Sequence, residues 1–354
     1  MHKDDQMTPK ERAFALFAKK PVDRMPIKLF SPYIGMNFGA SYEEAFSNAK
    51  SRAHWLMEGY KRFGQDGLSV NYRIDGIPVA FGAESTYDPT GIPIVKNPVL
   101  KELSDISSLD LENLRFENDI NAQIAFDAVQ IIQEQLNDEV FTGVGFMGPF
   151  TTAANLAGTT KVLKAMRKDP EGLHRLLDFA ADATIEVGQK FVENQIGIGL
   201  AEPTASLVSP SQFREFVIPY YVKVMNQWKE WGSRGAGFHI CGDTSRLLET
   251  FPEMEIRGVS IDSAVDISYA KKIVGDKLSI MGNVSPIEIL EGSKESIHQA
   301  VVRCFSQCWD NPCGFTIAPG CDIPVAAPLA NIDAYMEAAR QCAKYPVQPS
   351  NWEA

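Results

Sequence analysis

Short apolar runs of four to eight residues recur along the chain, and longer stretches with helical periodicity separate them. Runs of that length predict buried strands, whereas apolar positions spaced three and four residues apart predict amphipathic helices. The predicted strands cover Met25–Phe30, Leu68–Tyr72, Val140–Met147, Ile196–Ala201, Gly235–Ile240, Gly258–Ile261, Leu278–Met281 and Gly314–Ile317. The predicted helices cover Pro9–Lys19, Tyr42–Phe63, Asn118–Leu136, Pro170–Asn194, Pro210–Trp231, Ser285–Asp310 and Asn331–Lys344.

This alternation of strands and helices predicts an α/β fold with a parallel sheet, and eight such units favour a closed (β/α)8 TIM barrel. Residues 75–117 are the least regular region, because glycines and prolines interrupt helical periodicity there. We interpret this region as a long insertion between the second and third strands that forms a rim or a lid. No internal repeat and no linker rich in Gly or Ser divides the chain. Residues 1–354 are therefore expected to form one domain.

Composition and charge exclude several classes of protein. The chain has 354 residues, of which 45% are hydrophobic, so it can bury a large core. Its formal net charge of -11 opposes binding to nucleic acid, whose phosphates attract clustered Lys and Arg. The first residues are polar, and no apolar run reaches the roughly 18 residues that a membrane span needs. We therefore expect a cytoplasmic protein with no nucleic-acid or membrane partner, whose six cysteines are reduced.

Polar residues follow the predicted strands at their carboxyl ends, the place where a β/α barrel builds its active site. They are Glu202 after the fourth strand, His239 and Cys241 at the end of the fifth, Asp262 after the sixth, Asn283 after the seventh and Cys321 after the eighth. Since the carboxyl ends of parallel strands meet on one face, these residues are expected to line a common mouth. The other cysteines are expected in the core, except Cys313, which precedes the last strand at the opposite end.

His239, Cys241 and Cys321 are the candidate metal ligands. His239 and Cys241 lie two residues apart, so an extended backbone points both side chains to the same side. One imidazole and two thiolates suit zinc, and three protein ligands leave a fourth position open, as in catalytic sites. Such a site is suited to binding and activating a thiol. The alternative is that Cys241 is a small core residue and His239 an ordinary hydrogen-bonded one.

Glu202, Asp262 and Asn283 are the candidate catalytic residues, and Gly148, Asp262 and Asn283 the candidate cofactor contacts. Glu202 could be a displaceable fourth ligand or a partner of His239, or a rim carboxylate that binds a backbone amide. Asp262 could orient the imidazole or bind a cofactor amide, or could be structural. Gly148 and Asn283 lie in segments whose glycines allow a ligand to approach the backbone, although turn formation also explains those glycines.

Several motifs resemble the uroporphyrinogen decarboxylase superfamily over nearly the whole chain. They are Pro-Val-Asp-Arg-Met-Pro at 21–26, Gly-Pro-Phe-Thr at 148–151, Ser-Pro through Pro-Tyr at 209–220, His-Ile-Cys-Gly at 239–242 and Met-Gly-Asn-Val at 281–284. The chain looks more similar to the cobamide-dependent methyltransferases of this superfamily, whose zinc motif matches His239, Cys241 and Cys321. True decarboxylases carry Arg-Gln-Ala-Gly-Arg-Tyr after the first strand, whereas this chain has no arginine in residues 29–35. Without these arginines, a tetrapyrrole with many carboxylates loses its bidentate partners.

The resemblance implies a zinc-dependent barrel enzyme that moves a methyl group between a corrinoid and a thiol. Transfer from another small methyl donor toward the corrinoid stays open. The chain has no Asp-x-His-x-x-Gly segment of the type that ligates cobalt, so we expect a separate corrinoid protein that docks transiently. The rival hypotheses are a metal-free decarboxylase of the parent type and a non-catalytic module that binds a corrinoid or a tetrapyrrole.

Overall fold

A curled parallel sheet forms the centre of the protein in a computed structural model that describes residues 2–136, 139–348, 350 and 352. The one-domain prediction also covers residues 1, 137, 138, 349, 351, 353 and 354, which lie outside the described residues. The strands are β1 (Leu68–Asn71), β2 (Glu84–Tyr87), β3 (Pro93–Asn97), β4 (Thr142–Met147), β5 (Gly197–Ala201), β6 (Ala236–Ile240), β7 (Gly258–Ile261), β8 (Ser279–Val284) and β9 (Phe315–Pro319). Seven of them form the sheet in the order β1-β4-β5-β6-β7-β8-β9, and β2 and β3 form a separate antiparallel pair.

The helices of the described residues precede the first strand, lie between strands or follow the last strand in sequence. They are α1 (Pro9–Phe17), α2 (Ile34–Asn37), α3 (Tyr42–Phe46), α4 (Ala49–Phe63), α5 (Gly76–Ala80), α6 (Ile120–Leu136), α7 (Pro149–Ala157), α8 (Thr159–Lys168), α9 (Pro170–Glu193), α10 (Pro210–Phe216), α11 (Ile218–Glu230), α12 (Ile267–Val274), α13 (Pro286–Glu291), α14 (Lys294–Cys308) and α15 (Leu329–Ala343). Four 3-10 segments cover Leu103–Ser108, Leu111–Leu114, Pro203–Leu207 and Ser245–Met254. None of the described helices is both long and apolar enough to cross a bilayer.

The predicted α/β class with a parallel sheet is confirmed, and seven of the predicted strands correspond to strands of this sheet. The first predicted strand, Met25–Phe30, is reduced to a single parallel bridge between Ile27 and Ile317. Pro26 has no N–H to donate, which limits a ladder at this point. The Ile27 carbonyl accepts a 2.8 Å hydrogen bond from the Asp66 amide, next to β1. The segment therefore lies between the two edge strands β9 and β1.

Three of the predicted long helices are divided, two of them by residues whose side chains cap a new helix. The side chain of Asn48 accepts from the Ser51 amide and begins α4, which splits the prediction Tyr42–Phe63. Ser293 begins α14 in the same way and splits Ser285–Asp310. The third division, in Pro210–Trp231, falls at Val217, just before a proline in the first turn of α11. Side-chain caps of this kind satisfy amides that have no partner in the first helical turn.

Residues 75–117 contain more regular structure than their sequence predicts. Helix α5, the β2–β3 hairpin and two 3-10 segments lie in this excursion between β1 and β4. The hairpin turn is held by Asp88, whose carboxylate accepts from the amides of Thr90 and Ile92 at 2.8 and 3.0 Å. A hairpin closed by such an Asx turn needs no long apolar run in its strands. The apolar pattern of the sequence therefore did not predict it. A role as a lid stays a prediction.

A cluster of buried ion pairs joins the amino-terminal segments of the chain. Arg24 is 4% exposed, and its Nε and Nη2 donate to the two carboxylate oxygens of Asp5 at 2.8 and 2.7 Å. Arg12 is 1% exposed and donates from Nε to Asp23 at 2.7 Å. Asp66 accepts from both arginines. Because every charge has an opposite neighbour, the cluster holds the start of the chain against the sheet without an uncompensated charge.

Replacing Arg24 by Met should strongly destabilise the fold, because Asp5 and Asp66 would keep buried charges with a partner removed. We expect the free energy of unfolding to fall by about 3–5 kcal/mol, measured by denaturant titration. The control is Arg62→Met, since Arg62 pairs with Asp333 in solvent and should contribute less than about 1 kcal/mol. Equal, small effects of the two substitutions would contradict a structural role for the cluster.

Candidate metal centre

His239, Cys241 and Cys321 meet at the carboxyl end of the sheet. His239 is in β6, Cys241 directly follows that strand, and Cys321 follows β9. The His239 Nε2 atom lies 3.2 Å from Cys241 Sγ, which lies 3.5 Å from Cys321 Sγ. One ligand atom from each residue lies within 4.8 Å of the other two. The three residues that the sequence predicts as ligands are thus brought together.

Strand alternation and one glycine explain how this convergence arises. Phe238 and Ile240 are buried on one face of β6, so His239 points to the opposite face. Gly320 precedes Cys321 where two loops pass closely. A Cβ atom on Gly320 would lie 2.3 Å from the backbone nitrogen of Ser263, a contact that no side chain could make. Glycine at this position lets the chain after β9 reach the end of β6.

The imidazole of His239 is oriented by Ser260, a residue that the sequence analysis missed. Its Nδ1 atom lies 3.0 Å from Ser260 Oγ, which leaves Nε2 facing the two thiols. Ser260 is the register partner of His239 in the neighbouring strand β7. Ser260 could have been identified as this partner only from the pairing of β6 with β7. The carboxylate of Asp262 accepts from the Ala264 amide at 2.9 Å, and its negative charge is among those that raise the pKa of His239.

Hydrogen bonds at the site shift the pKa values of the two thiols in opposite directions. Burial opposes a positive His239 ring, but its hydrogen bond with Cys321 and nearby negative charges outweigh burial and raise the pKa of His239. The hydrogen bond from the Cys241 thiol, helped by His239, lowers the pKa of Cys321. The same hydrogen bond retains the proton on Cys241 and raises its pKa. A dication would stabilise both thiolates and release that shared proton.

The donor set fits one tetrahedral zinc ion. With Zn–S near 2.3 Å and Zn–N near 2.0–2.1 Å, neighbouring donors of a tetrahedral site lie about 3.4–3.8 Å apart. The separations of 3.2 and 3.5 Å are close to this range. Among the described His, Cys, Asp and Glu residues, no fourth one joins the group. Three protein donors are the number that a catalytic zinc site uses when the fourth position binds a reactant.

Glu202 lies at the end of β5 and is completely buried. Its two carboxylate oxygens accept from the amides of Phe150 and Thr151, at 3.0 and 2.7 Å, in the first turn of α7. Its carboxylate thus makes the backbone contacts that one of the sequence interpretations proposed. Burial raises the pKa of Glu202 to about 7, against the opposing effect of these hydrogen bonds.

Gly148 provides the space that this carboxylate occupies. A Cβ atom on Gly148 would lie 2.3 Å from Glu202 Oε1, so any larger residue would displace the carboxylate from the start of α7. A close approach of the Glu202 side chain thus accounts for glycine here. The cofactor contact at Gly148 stays a prediction.

Asn283 connects the end of β8 to the loop after β7. Its side-chain amide donates to the carbonyls of Asp262 and Val265 at 2.9 and 2.7 Å. Both protons of that amide are therefore used by backbone acceptors. The arrangement fixes the loop next to Ser260, the residue that orients His239.

The remaining cysteines are separate from this centre. Cys304, Cys308 and Cys342 are buried in helices, as predicted, and Cys313 is exposed. Burial raises the pKa of each of the three buried thiols. They therefore favour the neutral thiol form at neutral pH, which is the less reactive one.

Comparison with known proteins shows that the chain is similar to methyltransferases over nearly its whole length. The chain is 28% identical over 344 residues to the methylcobamide:CoM methyltransferase MtbA of Methanosarcina acetivorans, covering 95% of this chain and 98% of that protein. It is 24% identical over 346 residues to a methylated-thiol–coenzyme M methyltransferase of Methanosarcina mazei, covering 95% and 90%. A solved methyltransferase from Methanosarcina mazei has the same fold, with a TM-score of 0.82, 24% identity and coverage of 94% and 98%.

The family model for uroporphyrinogen decarboxylase (URO-D) matches residues 8–342, nearly the whole chain. This match agrees with the motifs at 148–151, 239–242 and 281–284, which lie at the carboxyl ends of strands in the structure. The chain therefore belongs to the uroporphyrinogen decarboxylase family.

Proposed function

We propose that this protein is a zinc-dependent methyltransferase that moves a methyl group between a protein-bound corrinoid and a thiol. The convergence of His239, Cys241 and Cys321 carries the proposal, because their donor atoms lie within 4.8 Å of one another. The relatives named for methylcobamide and coenzyme M, matched over nearly their full length, support it. A metal-free decarboxylase is disfavoured because residues 29–35 contain no arginine for substrate carboxylates.

His239, Cys241 and Cys321 would hold the zinc. When bound, zinc lowers the pKa of a thiol in the open position, so that its sulfur is a nucleophile at neutral pH. The two cysteinates offset the charge of the ion, which keeps the incoming sulfur electron-rich. Ser260 would keep the His239 ring oriented with Nε2 free to bind the ion, as partners of metal-bound histidines commonly do.

The other predicted site residues are assigned roles around this centre. We propose that Glu202 fixes the first turn of α7 against the end of β5, and that Asn283 and Asp262 hold the loop that carries Ser260. Catalytic contacts of these three residues, and cofactor contacts of Gly148, Asp262 and Asn283, stay predictions. Both kinds of contact would lie on the surface that faces the corrinoid.

The corrinoid is expected on a separate protein that docks transiently at the mouth. The chain has no cobalt-ligating segment of its own, which supports a partner. We also propose that Met25–Phe30 completes an eight-stranded barrel in one domain, with residues 75–117 as its insertion and rim. The Lys28 amide donates to the Ile317 carbonyl in β9, and the Ile27 carbonyl accepts from the Asp66 amide just before β1, which supports this closure.

Removing one sulfur ligand should abolish metal binding and transfer together. We expect about one zinc per chain in the purified protein, and loss of most zinc in Cys321→Ala, because two donors hold the ion weakly. Thiol-dependent demethylation of methylcobalamin should fall at least about a hundredfold. Metal content would be measured by mass spectrometry. The matched control is Cys313→Ala, since Cys313 is exposed and away from the site. Full zinc content and activity in Cys321→Ala would contradict the proposal.

Replacing Ser260 by Ala should weaken zinc binding without unfolding the protein, because the ring of His239 would lose its hydrogen-bond partner. We expect roughly a 10–100-fold loss of zinc affinity in competition with a chelator. The control is Ser279→Ala in the neighbouring strand β8, which removes a hydroxyl that bonds the Arg257 carbonyl. Unchanged zinc affinity in Ser260→Ala would show that Ser260 does not orient the ligand.

A further inference from the structure

Arg52, near the start of α4, is a buried arginine without a carboxylate partner in the described part of the chain. Its exposed fraction is 4%, the same as that of Arg24. Arg24 and the equally buried Arg12 form ion pairs with aspartates, whereas no described Asp or Glu lies within ion-pair distance of Arg52. Because a guanidinium stays charged at neutral pH, Arg52 places a positive charge in the interior without an opposite charge.

The protein satisfies the guanidinium of Arg52 only in part. Its Nη1 atom donates to the Asn71 carbonyl, at the end of β1, over 3.1 Å. Its central carbon lies 4.9 Å from the centre of the Phe46 ring. The Nε atom is buried and has no acceptor among the described residues. A carbonyl and an aromatic ring carry only partial negative charge, so a full positive charge and one donor remain for another partner.

A small cavity adjoins the guanidinium, between α2, α3, α4 and the end of β1. Its volume is about 10 Å³, which is room for one water-sized particle. Arg52 and Asn71 are its polar lining, and the rest is apolar or aromatic, as at Ile34, Phe46 and Trp55. A buried water needs two to four polar partners, which this lining does not offer. A donor on a full positive charge suits an anion better.

The groups around Arg52 supply no negative charge of their own. Burial lowers the pKa of Arg52 to about 10, and the positive charge of Arg73 adds to this effect. Burial also raises the pKa of Tyr33 and Tyr42, so both phenols are neutral at neutral pH. The carboxylate of Asp75 accepts from Nε and Nη2 of Arg73, both at 2.8 Å, and is thus already paired.

The side chain of Asn71 is also unavailable as a partner for a water in the cavity. Its amide donates to the hydroxyl of Tyr33 at 3.2 Å, and its carbonyl oxygen accepts from the Arg73 amide at 2.9 Å. The open donor beside the cavity is therefore on the guanidinium. A cationic donor, an apolar wall and the size of one atom together define the ligand as a small anion.

We propose that the cavity beside Arg52 is a chloride site, which binds one monatomic anion. The ion would accept a hydrogen bond from Arg52 Nε, compensate its charge and hold α2 and α3 against α4. Carboxylates, phosphates and sulfonates have several heavy atoms and exceed this volume, so the chloride site is separate from substrate binding. It depends neither on zinc nor on methyl transfer.

Thermal unfolding of the full-length protein tests the chloride site, because a ligand that binds only the folded state raises the midpoint of unfolding. Sodium chloride, sodium bromide and sodium gluconate are compared at equal ionic strength, since gluconate is too large for the cavity. For a dissociation constant of about 10 mM, exchange of about 100 mM gluconate for chloride should raise Tm by about 2 °C. Bromide should also raise Tm. Equal midpoints in chloride and gluconate would overturn the proposal.

Two variants separate the charge from the space. Arg52→Met removes the cation, and Ala45→Leu fills the cavity from α3 while it keeps the arginine. Both should lose the difference between chloride and gluconate, whatever their own stability, because each variant is compared with itself in two salts. Arg62→Met is the matched control, since Arg62 is exposed and pairs with Asp333, and it should retain the full difference. A full chloride effect in Arg52→Met would show a general salt effect and overturn the site.

Anomalous diffraction from crystals grown in bromide gives the position of the ion and does not depend on how well the variants fold. We expect one bromide in the cavity, within hydrogen-bonding reach of Arg52 Nε. A water there without anomalous signal, or bromide only elsewhere on the molecule, would overturn the chloride site even if the salts differ in their effect on Tm.

Discussion

The alternation of side chains along β5 and β6 is the constraint on which the rest of the site depends. Phe238 and Ile240 pack against the helices, so His239 must face the inside of the sheet. A register slip of one residue would place the imidazole in the apolar layer and phenylalanine at the mouth. The burial of the outer residues thus fixes the direction of the first candidate ligand.

Hydrogen bonds between the loops that follow the strands keep His239 in this position. Ser260 orients the imidazole from β7, and Asn283 holds the loop that follows β7 by donating to two of its carbonyls. On the other side, the Glu202 carboxylate joins the end of β5 to the first turn of α7. Each contact uses a polar group that would otherwise be buried without a partner. Hydrogen bonds between neighbouring βα loops therefore help to hold the mouth in place.

The sequence predicted the elements that depend on local pattern and missed those that depend on pairing. The inner strands and the candidate ligands His239, Cys241 and Cys321 follow from apolar runs and from the rule that active residues lie at the carboxyl ends of strands. Ser260 could not be found in this way, because only the register of β6 with β7 gives a serine in a buried strand a role. The contact of Glu202 with α7 was missed in the same way, because it depends on the space at Gly148, which is far away in the sequence. The segment Met25–Phe30 has the apolar pattern of a strand, although only Ile27 forms a β-bridge.

The two ends of the sheet differ in how their charged and polar groups are paired. At the amino-terminal end, each arginine of the buried cluster faces a carboxylate, so the charges are compensated and stabilise the chain start. At the carboxyl-terminal end, the donor atoms of His239, Cys241 and Cys321 face one another within 4.8 Å, and no described carboxylate joins them. Clustered polar groups of this kind cost stability, and a fold retains them where a ligand binds them. These three residues are therefore better explained by what they would bind than by what they stabilise.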